Sequence, residues 1–185
     1  MAAILEHQSK AKNQKPILIQ TATVEYAEQI TDFLRGIFKE APYLLTAEDE
    51  FTNSYTDQER FLDRLYNQKN ALALVAIHND RVIGFLDFHG GNNKRNQHDG
   101  TLGMSVHKDW RNQGVGDELL KMLKQWAAKH LTIEKISLEV FSRNIGAIHL
   151  YIKHGFNQEG RKVNAIKMPD GSYSDLIIMG YATVK

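Results

Sequence analysis

The segment Arg111-Asn112-Gln113-Gly114-Val115-Gly116 constrains this chain more than any other. It lies between an apolar run, Leu102 to Val106, and an amphipathic one, Asp117 to His130. The three pieces read in order as a strand, a glycine-containing turn and the start of a helix. Glycine has no Cβ and lets a ligand approach the backbone, and the first N–H groups of a helix have no partner within it. Those donors, together with the helix dipole, favour a phosphate or pyrophosphate at that end. The expected ligand is therefore a phosphorylated cofactor.

The rest of the chain reads as a mixed α+β pattern. Ile17 to Gln20 predicts a strand, and residues 25–39 predict a helix, with Ile30, Phe33, Leu34, Ile37 and Phe38 at helical spacing and Pro42 ending it. Residues 41–55 lack periodicity and carry the acidic trio Glu48-Asp49-Glu50. Thr56-Asp57-Gln58-Glu59 reads as a capping box that opens a second helix, to about Gln68. Ala71–His78 and Val82–His89 are apolar runs around Asn79-Asp80-Arg81, which predicts an antiparallel hairpin. A third strand is expected over 101–106. A helix follows Gly116, with Leu119, Leu120, Leu123, Trp126 and Ala127 on one face. Ile136–Phe141 reads as a strand, Ile145–His154 as a short helix, and Gly155 as its left-handed terminator. Phe156–Val163 and Leu176–Thr183 close the pattern around the turn signature Pro169-Asp170-Gly171. No repeat or linker divides the chain, so residues 16–185 are expected to form one α+β domain on a largely antiparallel sheet. Residues 1–15, polar and lysine-rich, are expected to be a flexible leader.

Charge narrows the partners. The 185 residues include 23 basic and 22 acidic side chains, a formal net charge of +1. That balance leaves no electrostatic footprint for nucleic acid or an anionic membrane. No apolar run approaches the roughly 18 residues of a membrane span, and the N-terminus lacks the apolar core of a signal peptide. The chain has no cysteine, which excludes disulfides, thiolate metal sites and a cysteine nucleophile. This fits a reducing compartment, and the cytoplasm is the expected location. The histidines show no metal-ligand spacing, so no metal is expected.

The order of elements, the Arg-x-x-Gly-x-Gly turn at 111–116, and the run Asn144…Ala147…Leu150-Tyr151…Gly155-Phe156 together resemble the GCN5-related N-acetyltransferase (GNAT) superfamily over residues 16–183. The resemblance implies acetyl-CoA as cosubstrate, with its pyrophosphate on Arg111, Asn112, Gln113, Gly114, Val115 and Gly116 and on the first helical turn at Asp117. It also implies that the pantetheine arm runs along Met104-Ser105-Val106 like an added strand. The Val106 N–H would then donate to the thioester oxygen. A fold of this kind exposes sheet edges, and a homodimer is compatible with that.

Acetyl transfer from a thioester to an amine needs a deprotonated nucleophile, a donor for the developing oxyanion and an acid for the departing thiolate. By the same resemblance Tyr151 takes the acid role; an ordinary tyrosine pKa of about 10 keeps it protonated. Its other reading is a core tyrosine. Asn144 either caps the helix that it begins or holds a pantetheine amide. Glu139, in Leu138-Glu139-Val140 and twelve positions before Tyr151, resembles the base of ribosomal-protein alanine acetyltransferases. Strand alternation turns it away from Leu138 and Val140. An exposed strand glutamate without catalytic duty is the competing reading, and His98 with Asp99 offer another base. Acceptor choice is expected to come from residues 41–55 and about 165–174, and the acceptor is expected to be a small-molecule amine, an amino acid or a peptide N-terminus. A non-catalytic acetyl-CoA sensor is the alternative function. A dinucleotide or nucleoside triphosphate site fails on spacing, because there is no Gly-x-Gly-x-x-Gly after the first strand and no Gly-Lys-Ser/Thr.

Overall fold

The computed structural model describes residues 4, 6–40 and 42–183. These form β1 (His7–Lys10), β2 (Pro16–Thr21), α1 (Ala27–Glu40), α2 (Tyr55–Asn67), β3 (Ala71–His78), β4 (Arg81–Gly90), β5 (Asp99–Val106), α3 (Val115–Lys129), β6 (Lys135–Phe141), α4 (Ile145–Lys153), β7 (Asn157–Lys167) and β8 (Tyr173–Ala182). One eight-stranded sheet runs in the order β1-β2-β3-β4-β5-β6-β8-β7. Every neighbouring pair is antiparallel except β5 with β6.

Helices cover both faces, and this explains why β3 is an unbroken apolar run rather than an alternating one. Leu72, Leu74 and Ala76 pack in one cluster with Leu119, Leu120 and Leu123 of α3 and Tyr151 of α4. Ala71, Ala73, Val75 and Ile77 face the other way, against Ile30, Phe33 and Ile37 of α1 and Leu62 and Leu65 of α2. Each fully buried leucine of this kind stabilises the fold by about 1.5–3 kcal/mol relative to exposure. Asn79 and Asp80 both adopt positive φ, 47° and 59°. That is the two-residue turn whose twist matches a β-hairpin, and it joins β3 to β4.

Two expectations are corrected. Residues 7–15 are not a flexible leader: β1 pairs antiparallel with β2 from His7↔Ile19 to Lys10↔Pro16. Ala11 is buried, and His7 Nε2 lies 2.8 Å from Glu118 Oε2 at the start of α3. Backbone pairing holds this strand, and its polar side chains carry no pattern that announces it. Residues 1–3 and 5 fall outside the described residues. The capping box of α2 also sits two residues earlier than expected. Ser54 Oγ accepts from the Asp57 N–H (3.2 Å) while the Ser54 N–H donates to Asp57 Oδ2 (3.0 Å), so Thr56 is already helical.

The irregularity that matters lies between β5 and β6. They pair only from Asp99↔Lys135 to Thr101↔Ser137. Beyond that point β5 stays with β4 as far as Gly84↔Val106, and β6 stays with β8 as far as Phe141↔Leu176. The sheet is thus split by a wedge that opens along Gly103–Val106.

Candidate active site

Which backbone groups line the wedge follows from the ladder. The His107 N–H donates to Ile83 O at 2.9 Å, which makes that pair hydrogen-bonded. In an antiparallel ladder such pairs alternate with non-bonded ones. Val106, opposite Gly84, and Met104, opposite Leu86, therefore direct their N–H and C=O groups away from β4 and into the wedge. The Val106 carbonyl accepts from Arg111 Nε at 3.1 Å, and Arg111 Nη2 also donates to Glu40 Oε1 at 2.8 Å. Arg111 thus ties the end of β5 to α1 rather than standing free as an anion ligand.

The turn that follows ends on Gly114, the N-cap of α3, at φ 92° and ψ 0° and with no side-chain cap on the free N–H groups of the first turn. A Cβ built on Gly114 meets nothing within 4 Å. It would project into open space at a helix N-terminus, where an anion is favoured. At Gly116 the restriction is packing, because a Cβ would stand 3.0 Å from Leu150 Cδ2 and 3.5 Å from Met104 Cε. The Lys12 N–H donates to Gln113 O at 2.9 Å, so the segment after β1 braces the turn. A cleft of about 640 Å³ lies here, its lining including Gln113, Gly114, Lys10, Lys12, Lys121 and Lys153. These cradle residues fit a pyrophosphate-bearing cosubstrate. Asp117 also lines the cleft. Burial alone would raise its pKa, but hydrogen bonds from Lys153 and His154 outweigh this and hold it below the usual carboxylate value.

Tyr151, in the last full turn of α4, is 7% exposed and packs on Phe156 with ring centroids 5.6 Å apart. Burial pushes its pKa up to about 12. The phenol therefore keeps its proton over the whole neutral range. Asn144 caps α4, its Oδ1 accepting from the Ala147 N–H at 3.2 Å.

The second opening lies on the α1/α2 face. Glu139 is exposed and its Oε1 lies 2.5 Å from Lys162 Nζ. It faces away from Leu138 and Val140, which are buried with α3 and α4. In register it lies two residues beyond Ser137, as Gly103 lies two beyond Thr101, and Gly103 pairs with Asp87. Asp87, Gly103 and Glu139 therefore occupy one row across the wedge, with the side-chain-free glycine in the middle. Asp87 Oδ2 lies 2.8 Å from His89 Nε2. A pocket of about 250 Å³ beside this row is lined by Phe38, Phe51, Phe61 and Phe85 together with Asp87 and Ser105.

His98 and Asp99 do not join this group. Asp99 Oδ1 accepts from Ser137 Oγ at 2.7 Å, and the His98 carbonyl accepts from the Glu134 and Lys135 N–H groups. They fasten the closed end of the wedge. Asp87 and His89 went unnoticed in the sequence, although a signal was there: two titratable side chains at alternate positions in the otherwise apolar run Phe85-Leu86-Asp87-Phe88-His89.

A mixed sheet split beside a glycine-led helix is the fold of the acyl-CoA N-acyltransferases. The model of the Acetyltransferase (GNAT) family matches residues 38–156. The chain belongs to that family and is an acetyltransferase. It is 31% identical over 118 residues to the L-amino acid N-acetyltransferase AaaT of Escherichia coli K12, a match covering 63% of this chain and 72% of that protein. Among solved structures, a GNAT-family acetyltransferase from Streptococcus pneumoniae superposes with a TM-score of 0.87 at 27% identity, covering 91% of this chain and 99% of that one. YncA from Salmonella typhimurium, solved with its cofactor acetyl-CoA, has the same fold, with a TM-score of 0.79 at 17% identity over 91% of this chain and 95% of that one.

Proposed function

We propose that this chain moves the acetyl group of acetyl-CoA to a primary amine by direct transfer within a ternary complex. The observation that carries the reading is the wedge between β5 and β6, which opens from the Gly114 cradle on one side and towards the acidic row on the other. The cradle N–H groups of α3, with Gln113, Gly114, Val115, Gly116 and Asp117 at its mouth, hold the pyrophosphate. The outward backbone groups of Met104 and Val106 hold the pantetheine arm, and the Val106 N–H faces the thioester oxygen as negative charge develops there. Asn144 bounds the same arm from the start of α4.

Glu139, directly or through water, takes a proton from the ammonium of the acceptor, and the freed amine attacks the thioester carbonyl. The C–S bond then breaks, Tyr151 donates its phenol proton to the departing thiolate, and the second proton shed by the acylated nitrogen restores the phenol through water. With no cysteine in the chain, no acetyl-cysteine intermediate enters. The acceptor is a small-molecule amine, an amino acid or a peptide N-terminus, and the name of the AaaT relative favours an amino acid. The lack of cysteine also supports action in the cytoplasm.

The test is calorimetric titration with acetyl-CoA, followed by thiol release over amines, amino acids, polyamines and N-terminal peptides. Binding with turnover supports transfer, and binding without turnover on any acceptor refutes it in favour of a sensor. Paired variants locate the base. Glu139→Gln is expected to lower kcat on the order of 10²-fold, and an equal loss in Asp87→Asn with full activity in Glu139→Gln would move that role to Asp87.

A further inference from the structure

Gln58 occupies a position that the helical pattern reserves for an apolar side chain. The buried stripe of α2 is Gln58, Leu62 and Leu65, at the i, i+4, i+7 spacing of a core face. Gln58 is 2% exposed, and its Nε2 is buried with no hydrogen-bond partner among the described residues. A buried amide donor left unmet costs more than an ordinary hydrogen bond returns, so a glutamine here needs a partner that the described residues do not supply. The surroundings show where that partner sits. Gln58 lines the 250 Å³ pocket with Phe38, Phe51, Phe61 and Phe85, and the same pocket reaches Asp87. At one end it offers a carboxylate for an ammonium group. Its walls offer aromatic rings for an apolar body, and the Gln58 amide is a donor for an oxygen.

We infer that the acceptor is an α-amino carbonyl compound with an apolar, preferably aromatic, side chain, and that Gln58 selects it by donating from Nε2 to its carboxylate or carbonyl oxygen. This rests on the N-acetyl transfer proposed above. The volume suits one amino-acid residue, being smaller than the roughly 300–1,000 Å³ of pockets for drug-sized ligands. A free amino acid and the first residue of a peptide both present this chemistry. A polyamine does not, because it has neither the oxygen nor the apolar body.

The experiment compares L-phenylalanine, a dipeptide beginning with phenylalanine, phenethylamine (the same amine without the oxygen) and spermidine by thiol release. Calorimetry of L-phenylalanine on the coenzyme A complex adds a readout that needs no turnover. The wild type is expected to favour L-phenylalanine or the dipeptide over phenethylamine by roughly 10- to 100-fold in kcat/KM, the scale of a hydrogen bond that is charge-assisted in the free amino acid. Whichever of the two is preferred identifies the source. In Gln58→Met, equal in length and wholly apolar, that ratio is expected to collapse towards one, through a raised KM for the oxygen-bearing acceptor. Should that variant misfold, the wild-type ratio and the wild-type calorimetry decide the matter alone. Equal wild-type rates on L-phenylalanine and phenethylamine, or a Gln58→Met enzyme that keeps the ratio, overturns the inference. Turnover of spermidine in preference to both phenylalanine acceptors overturns it while leaving N-acetyl transfer standing. Acetyl-CoA binding without thiol release from any amine overturns both.

Discussion

Replacing Gly114 separates the cost to the fold from the cost to the ligand. Gly114 sits at φ 92° and ψ 0°, and a Cβ there meets nothing within 4 Å. The folded protein thus feels only the backbone penalty of an L-residue in the left-handed region, about 1–2 kcal/mol. For a chain of this size that corresponds to a fall in Tm of roughly 2–8 °C. The fall should be nearly the same for Gly114→Ala and Gly114→Leu, because the Cβ that both add points into open space. Acetyl-CoA binding should behave differently. If the phosphates lie against this glycine, the side chain occupies their place, so the loss of affinity grows from Ala to Leu. The assay is thermal unfolding with and without acetyl-CoA, backed by calorimetry. At a ligand concentration of 100 Kd the wild type gains about 2.7 kcal/mol, an upward shift of roughly 5–11 °C, and the leucine variant is expected to show almost none. A leucine variant with wild-type affinity would refute the cradle. A Tm loss that climbs steeply from Ala to Leu in the absence of ligand would show instead that the position is packed.

Other expectations concern the acid, the hairpin and the core. Tyr151→Phe is expected to lower kcat by on the order of 10²-fold with little change in acetyl-CoA affinity, and unchanged turnover would remove the tyrosine from the mechanism. Because burial raises the Tyr151 pKa to about 12, the acid stays protonated as pH rises through 10, so the pH profile of kcat should show no alkaline fall at the ordinary tyrosine value. Asp175 has its pKa lowered by the Asn164 N–H and by Arg161. Its contribution to stability is thus present above the unfolded carboxylate value and lost as pH falls through the lower folded one. Asp175→Asn should flatten the acid side of the Tm-against-pH curve, and an unaltered acid limb would contradict that. Leu123, fully buried against α3's side of the sheet, should cost about 2–5 kcal/mol on truncation to alanine, measurable by denaturant unfolding.

Much of the fold was legible because its elements bury one face or two, and burial writes a period into the sequence. The stripe of Leu119, Leu120 and Leu123 is an instance, whereas β3 was legible as an unbroken apolar run buried on both faces and the exposed Asn79-Asp80 turn through its residue types. β1 was not legible, because its four residues hold on through backbone pairing with β2, and backbone groups are the same in every sequence. The cradle could be read because its chemistry is local, a glycine turn continuous with a helix start. Glu139 could be read as well, from the Leu138-Glu139-Val140 run. The pocket beside it could not, because Gln58 comes from α2 and Asp87 from β4, and only the packing of that helix against the sheet brings them to one pocket. Gln58 was masked twice over, lying within a segment that reads as a capping box and on a stripe that reads as core. Asn144 was legible as a cap, and that is the bond it makes.

The parting of β5 from β6 also leaves β5 with an unpaired edge inside the molecule rather than at the rim of the sheet. Unpaired strand edges invite pairing with other chains, and their amides exchange freely with solvent. If the pantetheine arm pairs with Met104 and Val106, acetyl-CoA closes that edge as a neighbouring strand would. The Met104 and Val106 amides should then exchange with deuterium rapidly in the free protein and slowly in the complex. The cosubstrate would in this way guard the chain against self-association, and cell levels of acetyl-CoA would bear on its solubility as well as on its rate.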